Sequence, residues 1–202
     1  SHSMDTHNVL LGRNGNIGGK TGTTDDAGYC FTSAYNRNGD EIYTVVLNST
    51  TTDQRFTDTA TLANWYYSHK ATVAIANTQE KTANGNPLMA RISQTDWTDK
   101  TIDATLADPA AQATVFSLAG EVTEKVSYDD LSGTVHVGDK VGSVTLKQDG
   151  TKIAVMDLVA DEEGSGPNPI EWLLVKLDRL GRRIDNRPLT AESETVAKAP
   201  EV

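Results

Sequence analysis

A chain of 202 residues with 37% hydrophobic content has room for one large domain or two small ones with real cores. Its net charge of -10, from 28 acidic against 18 thinly spread basic residues, excludes a nucleic-acid-binding surface and fits an acidic secreted or surface protein. A single cysteine, Cys30, excludes an internal disulfide and a paired-cysteine metal site, and no apolar run reaches the roughly 18 residues that span a bilayer.

Ser1-His2-Ser3-Met4 reads as a cloning remnant, and no signal peptide precedes Asp5, so the natural start is expected to have been removed. Three strands are predicted next, over Ile17 to Thr24, Tyr29 to Tyr35 and Glu41 to Leu47. The last two are joined by the turn-forming Asn36-Arg37-Asn38-Gly39-Asp40, which implies an antiparallel meander. Thr52 or Asp53 is placed to cap a helix with apolar positions at Phe56, Ala60, Ala63, Trp65 and Tyr67, packed across the meander. A boundary falls near residue 70, where the helical pattern ends.

From residue 71 to 160 short strand signals recur at Thr72 to Ala76, Leu88 to Ile92, Ala113 to Ser117, Val122 to Val126, Ser143 to Lys147 and Lys152 to Leu158. Turns such as Asn84-Gly85-Asn86 and Gln148-Asp149-Gly150 separate them, which is the spacing of a small β-sandwich. Asp129, Asp130, Asp139, Asp157, Asp161, Glu162 and Glu163 lack the pattern of a calcium loop and read as solvated turns, so no metal and no cofactor are expected. Residues 161–184 form a flexible acidic linker and then a helix from Pro169, with Ile170, Leu173, Leu174, Leu177, Leu180 and Ile184 on one face. Glu171, Lys176, Asp178, Arg179, Arg182 and Arg183 occupy the other side and Trp172 sits near the start. Such a helix either lies in a membrane interface or docks on its own β-domain or a partner. Residues 185–202 are polar and aperiodic and are expected to be disordered.

Lys20-Thr21-Gly22-Thr23-Thr24 carries the chemistry. Gly18-Gly19-Lys20-Thr21 invites comparison with a phosphate-binding loop, but Asn14 stands where that loop needs glycine, and a turn and strand follow where it needs a helix. As an edge strand beside a cleft, the motif instead offers a cation at Lys20, hydroxyls at Thr21 and Thr23, and close backbone approach at Gly22. An extended peptide could add to this strand while Lys20 and the threonines bind its terminal carboxylate.

The order and spacing of Thr6-His7-Asn8-Val9-Leu10-Leu11, Gly18 to Cys30, Asn36-Arg37-Asn38-Gly39, Val45-Val46-Leu47, Arg55-Phe56-Thr57-Asp58 and Leu62-Ala63-Asn64-Trp65 resemble the low-molecular-mass penicillin-binding D-alanyl-D-alanine carboxypeptidases. The resemblance covers about residues 5 to 68. It implies an α+β chain with a partial transpeptidase/β-lactamase-like antiparallel sheet and packing helix over 5–70. An all-β sandwich-like accessory domain over 71–160 and the amphipathic helix would follow. In that family a serine attacks the penultimate D-Ala carbonyl of a peptidoglycan stem peptide, D-Ala leaves and water releases the acyl group, while β-lactams trap the serine. By resemblance, Lys20 organises the active-site charge network, Thr21, Gly22 and Thr23 bind substrate, and the Thr23 amide is an oxyanion donor. Extracytoplasmic location and peripheral membrane attachment through helix 169–184 are implied as well.

The nucleophile is absent, since no serine has lysine three residues on and no Ser-x-Asn motif occurs. Thr78-Gln79-Glu80-Lys81 has the first spacing only by chance, Ser33 reads as structural, and His2, His7, His69 and His136 are scattered. The chain is expected to be the C-terminal portion of a carboxypeptidase and inactive alone. Alternatives are a non-enzymatic cell-wall or protein-binding β-domain module, or completion of the active site in trans by a separate N-terminal piece. A homodimer through the exposed sheet edge would rescue the unpaired first segment.

Overall fold

A computed structural model describes residues 5–201 and divides the chain into two compact units, 1–70 and 71–202. Residues 1–4, the expected cloning remnant, lie outside the described residues. The fold class is α+β with antiparallel sheets.

In the first unit β1 (Asn16–Thr24), β2 (Gly28–Arg37) and β3 (Asp40–Ser49) form an antiparallel sheet in sequence order, and α1 (Gln54–Ser68) follows. The β2–β3 turn needs left-handed backbone at two successive residues, and Asn38 and Gly39 supply it with φ of 53° and 86°. Phe31, Ser33 and Tyr35 alternate along β2 onto one face, where α1 covers them with Phe56, Thr59 and Ala63. The Phe31 and Phe56 rings meet edge to face at 5.0 Å, each burial contributing roughly 2 kcal/mol. Gly19 allows the Phe31 ring to lie across β1, since an added Cβ would sit 2.6 Å from it. The start of α1 departs from expectation. Asp53 is the N-cap residue but makes no side-chain cap bond, and the Thr51 hydroxyl accepts from the Gln54 amide instead.

The opposite sheet face is bare. Tyr43, Val45 and Leu47 point away from α1 and are 74%, 55% and 70% exposed, a contiguous apolar stripe that a lone sheet rarely leaves open.

The second unit contains β4 (Lys70–Ala74), β5 (Ala90–Ser93), β6 (Thr101–Leu106), β7 (Gln112–Phe116), β8 (Val122–Tyr128), β9 (Lys140–Gln148), β10 (Thr151–Ala160), α2 (Pro169–Ile184) and β11 (Glu194–Thr195). Six strands form one sheet in the order β11-β5-β6-β10-β9-β8, and β4 pairs with β7. Ile75, Met89, Ile92, Leu106, Val115, Val141, Leu146 and Leu158 build its core.

Two expectations are corrected here. Residues 161–166 are not a flexible linker and Asp161 is not a solvated turn residue. Asp161 is buried and accepts from the Thr82 hydroxyl and from Asn86 Nδ2, while Glu162 accepts from the Asp103 amide at 2.8 Å. The carboxylates thus serve as internal acceptors that pin loops, which a count of acidic residues does not distinguish from solvation. Nor is the tail beyond residue 185 disordered. The Val196 and Ala197 amides donate to the Met89 carbonyl at 2.9 and 3.1 Å, the Lys198 amide donates to Asn77, and Ala197 is buried. Main-chain pairing of this kind needs no apolar periodicity, so a polar segment can order by covering an open strand edge.

Candidate functional site

Strand β1 lies at the edge of the first unit's sheet, beside β2 alone, and the segment from Asp5 to Asn8 borders it. Asp5, Thr6, His7 and Asn8 on one side and Gly19, Lys20 and Thr21 on the other enclose a cleft of about 400 Å³. This puts a cation, hydroxyls and an imidazole around a space wide enough for a peptide end. Asn8 holds the cleft wall in place, its side chain donating to Asn16 Oδ1 at 2.9 Å in a buried bond.

Strand alternation divides the motif between two faces. Lys20 stands in register with Thr32 and Val45, on the bare face, whereas Thr21 aligns with Phe31 on the face toward α1. Lys20 Nζ donates to the Thr21 carbonyl at 2.6 Å, and no carboxylate pairs with it among the described residues. Thr23 Oγ1 donates to the Gly22 carbonyl at 2.8 Å. Space is open over Gly22, where an added Cβ would meet nothing within 4 Å.

Arg55 is the residue whose role the sequence left unread. It occupies the first turn of α1, is buried, and donates from Nη1 to Thr23 Oγ1 at 3.3 Å. Its guanidinium packs 4.9 Å from the Phe56 ring centre and 5.8 Å from that of Tyr29, and its Nε is buried without a partner. The guanidinium thus brings positive charge behind Thr23 at the strand edge, while neither residue lines the cleft itself. The signal was a charged residue one position ahead of Phe56, in phase with the buried Thr59 and Ala63.

Other sequence candidates fall elsewhere. Ser33 is buried and shares a hydrogen bond with Thr44 at 2.9 Å, on the face opposite Lys20. Thr78 accepts from the Glu80 amide and Lys81 donates to the Gly85 carbonyl, so each is engaged locally. His69 Nδ1 lies 2.7 Å from the Trp65 carbonyl, His136 lies 3.6 Å from Asp139, and His2 is outside the described residues. Among the described residues no cluster of three His, Cys, Asp or Glu is placed to hold a metal.

Helix α2 begins with a capping box. Asn168 accepts from the Ile170 and Glu171 amides, Glu171 accepts from the Asn168 amide, and Pro169 fills the first turn. It seats on its own unit through Val175, the helix's buried residue, and through Arg179, which donates to the Thr95 and Trp97 carbonyls. The helix thus docks on its own β-domain, one of the expected readings, but through Val175 and Arg179 rather than through its apolar face. Ile170, Leu173, Leu174, Leu177, Leu180 and Ile184 are all more than half exposed. No helix among the described residues is long and apolar enough to cross a membrane.

No family model and no curated protein sequence matches the chain. Among solved structures it is similar to the D-alanyl-D-alanine carboxypeptidase DacD from Francisella tularensis, at 22% identity and a TM-score of 0.40, over 80% of this chain and 39% of that one. It is similar to penicillin binding protein 5 from Haemophilus influenzae at 18% identity and a TM-score of 0.37, over 72% of this chain and 42% of the other. A peptidoglycan synthesis regulatory factor (PBP3) from Streptococcus pneumoniae matches at 21% identity and a TM-score of 0.41, over 79% and 47%. The chain spans less than half the length of each. Its neighbours of known structure are thus D-alanyl-D-alanine carboxypeptidases and penicillin-binding proteins.

Proposed function

We propose that this chain is the C-terminal portion of a serine-type D-alanyl-D-alanine carboxypeptidase and carries one wall of its peptide-binding site. The carrying observation is the placement of Lys20-Thr21-Gly22-Thr23 on an edge strand bordering a cleft, with the buried Arg55 guanidinium behind Thr23. An extended stem peptide adds to this edge through its backbone, with room over Gly22, and its terminal carboxylate is drawn by Thr21, Thr23 and Arg55. Lys20 stands on the bare face with Tyr43, Val45 and Leu47, where the rest of a catalytic domain would close over it and bring the nucleophile. There Lys20 supplies charge for proton movement, and the Thr23 amide donates to the developing oxyanion. The acyl-enzyme forms on a serine that this chain does not hold, so the chain alone neither hydrolyses peptide nor is acylated by β-lactams.

The same reading places the protein outside the cytoplasm, on peptidoglycan stem peptides, with α2 resting its exposed apolar face in a membrane interface. A fluorescent penicillin tests the first point, and absence of covalent label is expected. Labelling would overturn the claim that the nucleophile is missing. Titration with a peptide ending in D-Ala-D-Ala should shift the amide resonances of Lys20 to Thr23, and a Lys20→Ala protein should lose the shifts. Unmoved resonances at these positions would sink the site assignment.

A further inference from the structure

We infer that the margin of β5 is an acceptor site for an extended polypeptide segment of a partner protein, a site that the chain's own residues 193–200 hold closed. The segment it fits carries an acidic residue, a small residue three positions later and a cation two beyond that, in register with Glu194, Ala197 and Ala199. The resident segment shows how a strand is held there. Arg91 donates to Glu194 at 3.4 Å, the Ser93 amide donates to Ser193 Oγ at 3.0 Å, and the Val196 and Lys198 amides donate to the Met89 and Asn77 carbonyls. Ala197 is buried against the core of the second unit, so its place takes a small side chain. In such a site backbone pairing supplies affinity and the inward side chains supply selection.

The resident segment is weakly anchored. Within it only Glu194 and Thr195 join the ladder, and only Ala197 and Pro200 are buried. Its release leaves Arg91 with Glu80 at 2.8 Å and Asp103 at 3.8 Å, so no cation is stranded, and an exposed ion pair such as Arg91–Glu194 contributes little. The segment also underfills its surroundings. An open cleft of about 540 Å³ lies beside Ala199 and Pro200, walled by Gly120, Glu121 and Val122. No cation lines that cleft, and Glu201 adds a second carboxylate to it. A partner with Lys or Arg in place of Ala199 would neutralise Glu121, in a chain whose net charge is -10. Being tethered, the resident segment competes at an effective concentration of roughly millimolar order, so an outside strand enters by making the contact that the resident lacks.

Fluorescence anisotropy tests the assignment with labelled synthetic peptides of residues 189–200, unaltered or carrying Ala199→Arg, titrated into the full chain. A full chain with Glu194→Lys and Val196→Pro, which loosen its own segment, should bind the unaltered peptide about tenfold more tightly than the wild type does. The Ala199→Arg peptide should bind either protein about threefold more tightly than the unaltered one. Glu121→Gln in the protein should remove that gain, and Ala197→Leu in the peptide should abolish binding. Should the loosened protein lose its thermal transition, the wild type with the Ala199→Arg peptide decides the matter alone. No saturable binding there, or binding indifferent to both Glu121→Gln and Ala197→Leu, overturns the proposal. A wild-type dimer dispersed by the unaltered peptide would assign the site to a second copy's tail and overturn the separate partner.

Discussion

The Tyr128 hydroxyl lies 2.5 Å from Thr195 Oγ1, joining β8 to β11, the two outermost strands of the six-stranded sheet. Nearby, the Thr95 amide donates to the Leu131 carbonyl at 2.7 Å, so the sheet curls until its margins meet. A closed sheet leaves no long edge for a foreign strand to pair with.

Opening that closure should be measurable. Tyr128→Phe removes one hydrogen bond and is expected to cost about 1 kcal/mol in urea unfolding. Ala197→Asp buries an unpaired carboxylate where the tail packs, and is expected to cost about 3 kcal/mol. Both losses should fall on the second unit's transition, with the first unit's unchanged; a shift in neither would mean that the tail does not hold the sheet.

Glu124 sits on β8 between the inward Val122 and Val126, and both its carboxylate oxygens are buried without a hydrogen-bond partner. Burial pushes its carboxyl up to about 7 from an ordinary value of 4.5. A folded-state value above the unfolded one means the native protein holds the proton more firmly. The contribution of Glu124 to stability is therefore fully present below about 4.5, declines as pH rises toward about 7, and is lost above it. Glu124→Gln should abolish the decline, raising the melting temperature at pH ~8 but hardly at pH ~4. A melting-temperature gain of the same size at both would exclude titration as its cause.

Gly22 within the motif and Gly19 just ahead of it should respond differently. Gly19→Ala drives a methyl into the Phe31 ring and the Thr32 carbonyl, and is expected to destabilise the first unit by about 1–3 kcal/mol. Gly22→Ala meets open space and should leave stability within about 0.5 kcal/mol, while weakening D-Ala-D-Ala peptide binding by crowding the backbone approach. Unaltered peptide affinity in the Gly22→Ala protein would place the ligand elsewhere.

The stripe of Tyr43, Val45 and Leu47 predicts concentration-dependent self-association of this chain. Replacing Val45 and Leu47 with threonine, which keeps strand propensity, should yield a monomer by light scattering with unchanged thermal stability. A wild-type chain that stays monomeric at high concentration would show that the stripe is tolerated in water.

What could be read from the residues follows the range of the forces involved. The meander and α1 were legible because Asn38-Gly39 sets its own turn and Phe31, Ser33 and Tyr35 alternate within one strand. Helix α2 was legible from its leucines, although the Asn168–Glu171 capping box went unread. Strand β6 escaped notice although Ile102, Ala104 and Leu106 alternate inward, because Asp and Ala are poor strand formers, and only the fold reveals that the outward Asp103 faces Arg91 on β5. Arg55 escaped notice because its relation to Thr23 spans 32 positions and passes through the packing of α1 on the sheet.

The tail's attachment also sets an order of events during synthesis. Strands β1 to β3 and α1 are neighbours along the chain, so the first unit can form while later residues are still being made. Asn77, by contrast, waits for Ala199, 122 positions downstream, before its side-chain amide finds its acceptor. Until then β5 stands with one margin unpaired, and the nascent second unit passes through its most aggregation-prone interval just before it is complete.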